Sequence, residues 1–388
     1  MTTDPHPEQK PPPPCADPSA PFRDPVLGRS LLGGLRERAA RLARRLGRPV
    51  RFMEVCGTHT VQLFRSGLRD LLPPELAHVS GPGCPVCVTP DQELAALLAL
   101  AGQADVILAS FGDMLRTPGP DGRSLKHARA QGAAVEIVYS PLDALRLATK
   151  HPGKLIVFAA AGFETTAPST AATVIAAQAR GVDNFRILCC HKTVPPAIRL
   201  LLADGDHGID ALLLPGHVAT VLGMEPFAFI PETAGLPAAV AGFEPIDLIA
   251  ALELLLDMLH EKQPRLVNAY SRAVAAHGNS RAREMMMRVF EPADAIWRGL
   301  GLIPGGGLRL RDEYAAFDAA TSLGLDLSAT RPAAGPAAGC RCGEVLRGRI
   351  LPPECPLFGT ICTPASPVGP CMVSNEGGCA AWHAYGRN

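Results

Sequence analysis

The sequence lacks the features that would place it in several common protein classes. Only 19% of its 388 residues are charged, and Lys plus Arg equal Asp plus Glu at 37 each, which gives no electrostatic case for binding nucleic acid or an anionic membrane. Its apolar runs end well before the ~20 residues that a membrane span needs. The start, MTTDPHPEQKPPPP, has no apolar core like that of a signal peptide. We therefore expect a cytoplasmic globular protein that begins with a disordered tail over residues 1–28.

Cysteine, in contrast, is plentiful. The chain has twelve cysteines, and six of them fall in the last fifty residues. Disulfide scaffolds are usually small and secreted, whereas this chain is long and shows no export signal. Metal binding or redox chemistry is therefore the better explanation for so many thiols.

Short apolar runs alternate with helical patterns from residue 51 onward, which is typical of parallel sheets covered by helices. The runs are RFMEV, DVILAS, VEIVYS, KLIVFAA, FRILCC, ALLLPG and AAVAG. A break near residues 151–154 divides them, so we expect two parallel-sheet α/β domains that face a cleft, over residues 29–153 and 154–334. Residues 335–388 are rich in Pro, Gly and Cys, which predicts a small loop-rich domain that a metal centre orders.

Cys56 and His59 follow the first of these runs, in CGTHT (56–60). Ligands of open α/β sheets bind at the carboxyl ends of the strands, so a thiolate and an imidazole there could form a soft-donor site for iron or zinc. The structural alternative makes Cys56 a buried strand-end cysteine and His59 a capping or hydrogen-bonding residue. The nearby pair Cys84 and Cys87 favours the functional interpretation.

Cys84 and Cys87 form a Cys-x-x-Cys pair in SGPGCPVCVTP (80–90), just before a predicted helix. A helix N-terminus favours negative charge, which predicts a lowered thiol pKa and either a redox pair or a soft-metal site. A thioredoxin-like motif is the competing interpretation, but here the pair follows Gly-Pro-Gly and not a strand with a Trp.

Glu164 is the only carboxylate in its apolar neighbourhood, in GFETT (162–166). Burial would raise its pKa and suit it to general acid or base chemistry. The alternative is a carboxylate that accepts hydrogen bonds from backbone amides at a helix N-terminus. No Walker or dinucleotide-binding fingerprint accompanies it, so the sequence gives little support to nucleotide binding.

The C-terminal cysteines are the strongest metal signal in the chain. Their spacing matches neither a zinc ribbon of paired Cys-x-x-Cys knuckles nor a ferredoxin run, yet four thiolates from a loop-rich segment suit a [4Fe–4S] cluster. Structural zinc is the second interpretation. The six residues are Cys340, Cys342, Cys355, Cys362, Cys371 and Cys379.

Together these motifs resemble the HypD family of hydrogenase maturation factors. The resemblance runs from about residue 30 to the C-terminus, on FMEVCGTHT (52–60), GPGCPVC (81–87), GFETTAP (162–168), PGHVA (215–219) and the tail RCGEVLRG…ECPLFG…MVSNEGGCAAW. It implies a scaffold on which the Fe(CN)2CO unit of [NiFe]-hydrogenase is assembled. The implied partners are a small HypC-like chaperone, a HypE-like cyanide donor and, indirectly, the hydrogenase large subunit.

The resemblance also implies roles for individual residues. Cys56 matches the expected iron ligand, shared with a partner cysteine, and the pair Cys84 and Cys87 matches the expected redox-active thiols. His59 and Glu164 match cleft positions of the family. The expected [4Fe–4S] ligands are Cys342, Cys355, Cys362 and Cys379, which leaves Cys340 and Cys371 as additional cysteines.

We therefore expect a redox-capable metallocentre-assembly scaffold, not a conventional turnover enzyme. Two separate sulfur sites in one chain suggest the further hypothesis that electrons pass from the cluster through Cys84 and Cys87 towards the iron. An iron–sulfur oxidoreductase of a small organic substrate is one alternative, weakened by the missing flavin or nicotinamide fingerprint. A zinc-stabilised interaction module without chemistry is the other.

Overall fold

The computed structural model describes residues 17, 19–203, 205, 207–327 and 339–386. Most of the predicted tail, residues 1–16 and 18, lies outside these ranges, but its last part is helical. A 3₁₀-helix at Ala20–Arg23 leads into helix α1 at Pro25–Leu46. The helix begins at Pro25 because Pro suits a first helical position and the Asp24 carboxylate accepts the Val26 amide at 2.8 Å.

The described residues form eleven strands and sixteen α-helices. The strands are β1 Val50–Glu54, β2 Leu76–Ser80, β3 Val106–Ser110, β4 Val135–Ile137, β5 Leu155–Gly162, β6 Phe185–His191, β7 Ala211–Pro215, β8 Ala238–Ala241, β9 Leu266–Asn268, β10 Phe290–Trp297 and β11 Gly301–Leu310. The remaining helices are α2 Gly57–Arg65, α3 Leu68–Leu71, α4 Pro85–Val88, α5 Asp91–Ala101, α6 Leu125–Ala130, α7 Pro141–Lys150, α8 Ala167–Ala179, α9 Val194–Ala203, α10 Gly216–Leu222, α11 Phe229–Thr233, α12 Pro245–Glu261, α13 Ser280–Val289, α14 Ala319–Ser322, α15 Cys342–Leu346 and α16 Gly378–Tyr385. Further 3₁₀-helices are Gly112–Arg116, Glu225–Phe227, Asp312–Phe317, Pro352–Glu354 and Pro370–Met372.

The predicted α/β class with two parallel sheets is confirmed. One sheet has five parallel strands in the order β2-β1-β7-β8-β9, and the other has four in the order β4-β3-β5-β6. All seven predicted runs are strands. The sequence reading missed β2 and β9, which are short, and the antiparallel pair β10–β11, where Gly and Pro interrupt the alternation.

The boundary predicted between residues 153 and 154 does not separate the two sheets. The chain builds β1 and β2, crosses to the second sheet for β3 to β6, and returns to the first at β7. Both β3 and β5 belong to the second sheet and pair directly, from Val106 opposite Leu155 to Ala109 opposite Phe158. A break in local pattern marks a loop, whereas sheet membership depends on pairing between distant segments, so the pattern could not show this crossing.

Each sheet changes winding direction once, at β1 and β7 in the first sheet and at β3 and β5 in the second. Ligand sites of open α/β sheets form at such points, beyond the carboxyl ends of the strands, because the flanking loops diverge there. The loops after these four strands all reach one cleft, described below.

The C-terminal segment packs against both sheets and has little regular structure, as predicted. The Arg51 guanidinium donates to the Gly348 carbonyl at 2.6 Å, and Arg116 donates to the Val373 carbonyl at 2.8 Å. Trp382 on α16 meets the Phe64 ring edge-on, with centroids 5.2 Å apart. The boundary predicted at residues 334 and 335 lies outside the described residues.

Apolar side chains cover both faces of the sheets. Phe52 and Leu213 belong to the core beneath α1 and α12, whereas Phe158 and Phe185 lie in the core of the second sheet. A third core, between the sheets, continues into the C-terminal segment and includes Cys342, Cys362 and Cys371. Within the described part of the chain, no helix is both long enough and apolar enough to cross a membrane.

Candidate metal centre

A cleft of about 440 Å³ lies where the carboxyl ends of the two sheets meet. It receives side chains from the first sheet, from the second sheet and from the C-terminal segment, so three parts of the chain build it. Representative lining residues are Cys56, Asp113, Tyr139, Phe163, His217 and Glu376. The loops after β1, β3, β5 and β7 therefore meet at one cleft between the two sheets, as the predicted architecture requires.

Cys56 stands at the N-cap of α2 and lines this cleft. Its backbone is extended (φ −148°, ψ 113°), and its sulfur accepts no capping hydrogen bond from the first turn of the helix, although the His59 and Thr58 amides act to lower the pKa of the thiol. The loop before α4 presses against it, because a Cβ on Gly83 would lie 2.3 Å from the Cys56 nitrogen. Only glycine permits that approach, so the Gly-Pro-Gly of GPGCPVC shapes the floor beneath Cys56.

The free Cys56 thiol holds its proton at neutral pH. Burial raises its pKa to about 12, and the carboxylates of Glu54 and Glu376 add to the rise, against the opposing effect of the two backbone amides. A metal ion that binds a thiolate must displace this proton. The protonated Cys56 thiol is therefore a poor nucleophile, and it becomes a metal ligand only when a metal ion displaces its proton.

His59 takes the structural role that the sequence left open. Its Nε2 lies 3.0 Å from the Gly242 carbonyl and 3.2 Å from that of Ala241, so this nitrogen donates and ties α2 to the end of β8. Burial lowers its pKa to about 4, so the ring is neutral. The ring packs against Phe243 and does not line the cleft.

Glu164 is buried but does not line the cleft either. Its Oε1 accepts the Val194 amide at 2.8 Å, at the start of α9, while Oε2 has no hydrogen-bond partner among the described residues. Burial raises its pKa to about 7, as predicted. Both of the proposed features are present, the raised pKa and the helix-terminal hydrogen bond, yet the geometry points the carboxylate at a helix and not at the Cys56 cleft.

Cys84 and Cys87 are buried behind the wall of the cleft, to which Gly83, Pro85 and Val86 contribute. Cys84 is the N-cap of the one-turn helix α4, and its sulfur accepts the Cys87 amide at 3.2 Å. The longer helix α5 begins separately at Asp91. The expected lowering of the pKa is wrong for Cys87, because burial raises it and the neighbouring Cys371 and Cys84 thiols raise it further.

The six C-terminal cysteines surround one small void of about 10 Å³. Cys371 lies beside Cys379 and Cys87, whose thiols shift its pKa, and the Cys87 thiol itself donates to the neighbouring Pro370 carbonyl at 3.6 Å. Cys340 and Cys342 form a second thiol contact. Cysteine pairs thus run from the Cys84–Cys87 motif to the C-terminal group without a break.

All six thiols face one interior, which is a donor set that fits an iron–sulfur cluster. In the described residues, however, no three His, Cys, Asp or Glu side chains are arranged to hold a metal ion. The void has room for about one water molecule, so the surrounding thiols would have to move apart to hold a cluster. The choice of Cys342, Cys355, Cys362 and Cys379 as ligands stays a prediction.

Sequence reasoning missed Glu376, which lies in the motif NEGG but was assigned no role. Its Oε1 accepts the Thr58 hydroxyl at 2.8 Å, and a Cβ on Gly57 would meet its backbone oxygen at 2.5 Å. Burial raises its pKa. Asp113, also unremarked, accepts the Ser374 hydroxyl at 2.8 Å. Both carboxylates face the cleft, which therefore favours a cation.

Sequence comparison with known proteins gives matches along almost the whole chain. The HypD family model, described as "Hydrogenase formation hypA family", matches residues 31–386. The hydrogenase maturation factor HypD of Rhodobacter capsulatus is 43% identical over 366 residues, which span 94% of this chain and 97% of that protein. HypD of Rhizobium leguminosarum bv. viciae is 46% identical over 365 residues (92% and 94%), and HypD of Escherichia coli (strain K12) is 44% identical over 370 (94% and 96%).

Proposed function

The chain belongs to the HypD family of hydrogenase maturation factors, and from that premise we propose that it holds iron at Cys56 while cyanide and CO ligands are added. A HypC-like partner supplies a second cysteine to the iron, and a HypE-like partner delivers cyanide. The product is the Fe(CN)2CO unit, which then passes towards the hydrogenase large subunit.

The observation that supports this most directly is the setting of Cys56. Its thiol lies in a cleft at the switch points of two sheets, beside the acidic side chains of Asp113 and Glu376; among the described residues that line the cleft there is no Lys or Arg, although Arg116 comes within 3.8 Å of Asp113 from outside it. Thiolate is a suitable donor for iron that also binds cyanide and CO. The carboxylates that line the cleft attract a divalent cation. One protein thiol leaves further coordination positions for a partner cysteine and diatomic ligands.

The second support is the continuous set of thiols behind the cleft. Cys84 and Cys87 lie between the cleft wall and Cys371, and Cys371 contacts Cys379. A [4Fe–4S] cluster, when bound by four of the C-terminal cysteines, supplies electrons one at a time. The contact of Cys87 with Cys371 supports the hypothesis that the Cys84–Cys87 pair exchanges electrons with the C-terminal group.

Anaerobic co-purification with a HypC-like partner tests the proposal. We expect the wild-type complex to contain iron and to show infrared bands of iron-bound cyanide and CO. Cys56→Ala removes the donor and abolishes those bands, whereas Cys189→Ala, at a half-buried cysteine outside the cleft, leaves them unchanged. Unchanged iron and diatomic bands in Cys56→Ala remove Cys56 from the ligand set.

The same preparation separates the alternatives. About four irons per chain in addition to the cleft iron, with a broad absorption band near ~400 nm, support the cluster. Stoichiometric zinc without colour supports the interaction module instead. Variants of Cys342, Cys355, Cys362 and Cys379 to Ser, compared with Cys340→Ser and Cys371→Ser, identify the ligands by loss of cluster iron.

A necessary redox role for the thiol pair is tested by Cys84→Ala combined with Cys87→Ala. We expect the double variant to retain the C-terminal cluster but to lose the cyanide and CO bands of the complex. If the bands appear at full occupancy, the pair is not required and serves packing only.

A further inference from the structure

Glu54, the last residue of β1, is a carboxylate buried directly beneath Cys56. Its side chain is 0% exposed. Its Oε2 accepts the Cys56 amide at 2.9 Å, and its Oε1 accepts the hydroxyl of Thr60, one turn into α2. Two oxygens of one side chain therefore hold both ends of the first turn of this helix.

One ionisable partner lies beside the Glu54 carboxylate. His78 on β2 places Nε2 3.4 Å from Oε1, an ion pair whenever His78 is protonated, and within the described ranges no Lys or Arg is ion-paired with Glu54. Burying a carboxylate is costly unless its oxygens are well hydrogen-bonded. An apolar residue at position 54 would leave the buried Cys56 amide and Thr60 hydroxyl without this acceptor, so the carboxylate is tied to the turn that carries Cys56.

The hydrogen bonds of Glu54 act on the residue that faces the cleft. Cys56 has an extended backbone and its sulfur accepts no capping hydrogen bond within α2, so the direction of the side chain depends on the backbone, whose amide Glu54 holds at 2.9 Å. A carboxylate accepts at both oxygens, whereas the amide of Gln accepts at only one. Glu is therefore the side chain that can hold the Cys56 amide and the Thr60 hydroxyl together.

We propose that Glu54 is a positioning residue for Cys56, which with Thr60 fixes the direction of the Cys56 sulfur towards the iron. This inference rests on the proposed function of Cys56 as an iron ligand. It assigns roles to two residues of FMEVCGTHT whose side chains do not line the cleft.

The test compares Glu54→Gln, Thr60→Val and Thr60→Ser in the full chain co-purified with its HypC-like partner. Fe(II) affinity is measured by competition with a chelator, and the cyanide and CO stretching bands are recorded on the same samples. Loss of groups that orient a metal ligand typically weakens metal binding by roughly 10–100-fold. We expect that loss in Glu54→Gln and Thr60→Val, with shifted or broadened bands in the iron that remains, and near wild-type behaviour in Thr60→Ser.

The matched control is Thr170→Val, which removes an equally buried hydroxyl that contacts His191 in the second sheet. It should keep wild-type affinity and bands. Should Glu54→Gln fail to fold, Thr60→Val against Thr60→Ser decides the question. Wild-type affinity and bands in Thr60→Val and in any folded Glu54→Gln overturn the positioning role. If Cys56→Ala also retains the iron and its bands, the proposed function itself has failed.

Discussion

The close approach of Gly83 to Cys56 makes a sharp prediction. In Gly83→Ala the new methyl carbon would lie 2.3 Å from the Cys56 nitrogen, 2.4 Å from its Cα and 2.5 Å from the Gly57 nitrogen. All three are backbone atoms, so no rotamer change relieves the clash. Overpacking a well-filled interior costs typically 1–3 kcal/mol, and backbone contacts place this change near the upper end, at about 3 kcal/mol.

Thermal unfolding followed by circular dichroism measures the cost. A loss of this size should lower the midpoint by roughly 5–10 °C if one α/β unit unfolds cooperatively. Because the clash pushes Cys56 away from its place in the cleft, iron retained by the complex should fall as well. The control is Gly112→Ala, which changes another glycine that lines the cleft but has nothing within 4 Å of its added Cβ.

The predicted clash is absent if Gly83→Ala and Gly112→Ala unfold within about a degree of each other and of wild type. The loop would then be soft enough to move aside, and the floor beneath Cys56 would not be set by glycine. A lower midpoint with unchanged iron would retain the packing argument but separate it from ligand placement.

Three further outcomes are expected. Trp382→Ala removes a ring packed against α2 and should lower the free energy of unfolding, measured by denaturant titration, by about 3 kcal/mol. The control Tyr385→Ala, on the same helix but 44% exposed, should change it by less than about 0.5 kcal/mol. Lys192→Met leaves Glu93 without the ammonium group that lies 2.6 Å from it, so it should cost about 3–5 kcal/mol, and adding Glu93→Gln should restore most of that loss. Glu164 has a folded pKa of about 7 against an ordinary 4.5, so the stability of the fold falls as pH rises through this interval; Glu164→Gln should therefore stabilise by up to about 3 kcal/mol at pH 8 and by almost nothing at pH 4. A Glu164→Gln gain that is equal at both pH values would contradict the buried-acid explanation.

The pattern of apolar and polar residues along the sequence predicted the strands whose burial makes them apolar along their whole length. Apolar runs such as KLIVFAA and ALLLPG are strands because residues buried on both faces of a parallel sheet must be apolar along their whole length. The hairpin β10–β11 escaped notice because its Pro and Gly residues resemble a loop. Helix α1 begins at Pro25, inside the predicted tail of residues 1–28, because the Asp24 cap starts the helix before any apolar periodicity is visible in the sequence.

The sequence predicted a residue of the candidate site correctly only where the chemical type of the side chain was sufficient to identify it. Cys56 was selected as a thiol at a strand end, and it lines the cleft. His59 and Glu164 have equally suggestive side chains, but they turn to the Gly242 carbonyl and the Val194 amide instead. The direction of a side chain depends on the elements packed around it, which a motif does not contain.

The α/β class, the positions of most strands and the two kinds of cysteine cluster were predictable from the sequence, because periodicity and residue chemistry are local properties. The crossing of the chain between sheets, the approach of Cys371 to Cys87 and the contact of Glu376 with Thr58, more than 300 positions away, depend on tertiary packing. It also reversed the expected pKa of Cys87, since desolvation is set by everything that surrounds a thiol and outweighs the one helix terminus that the sequence shows.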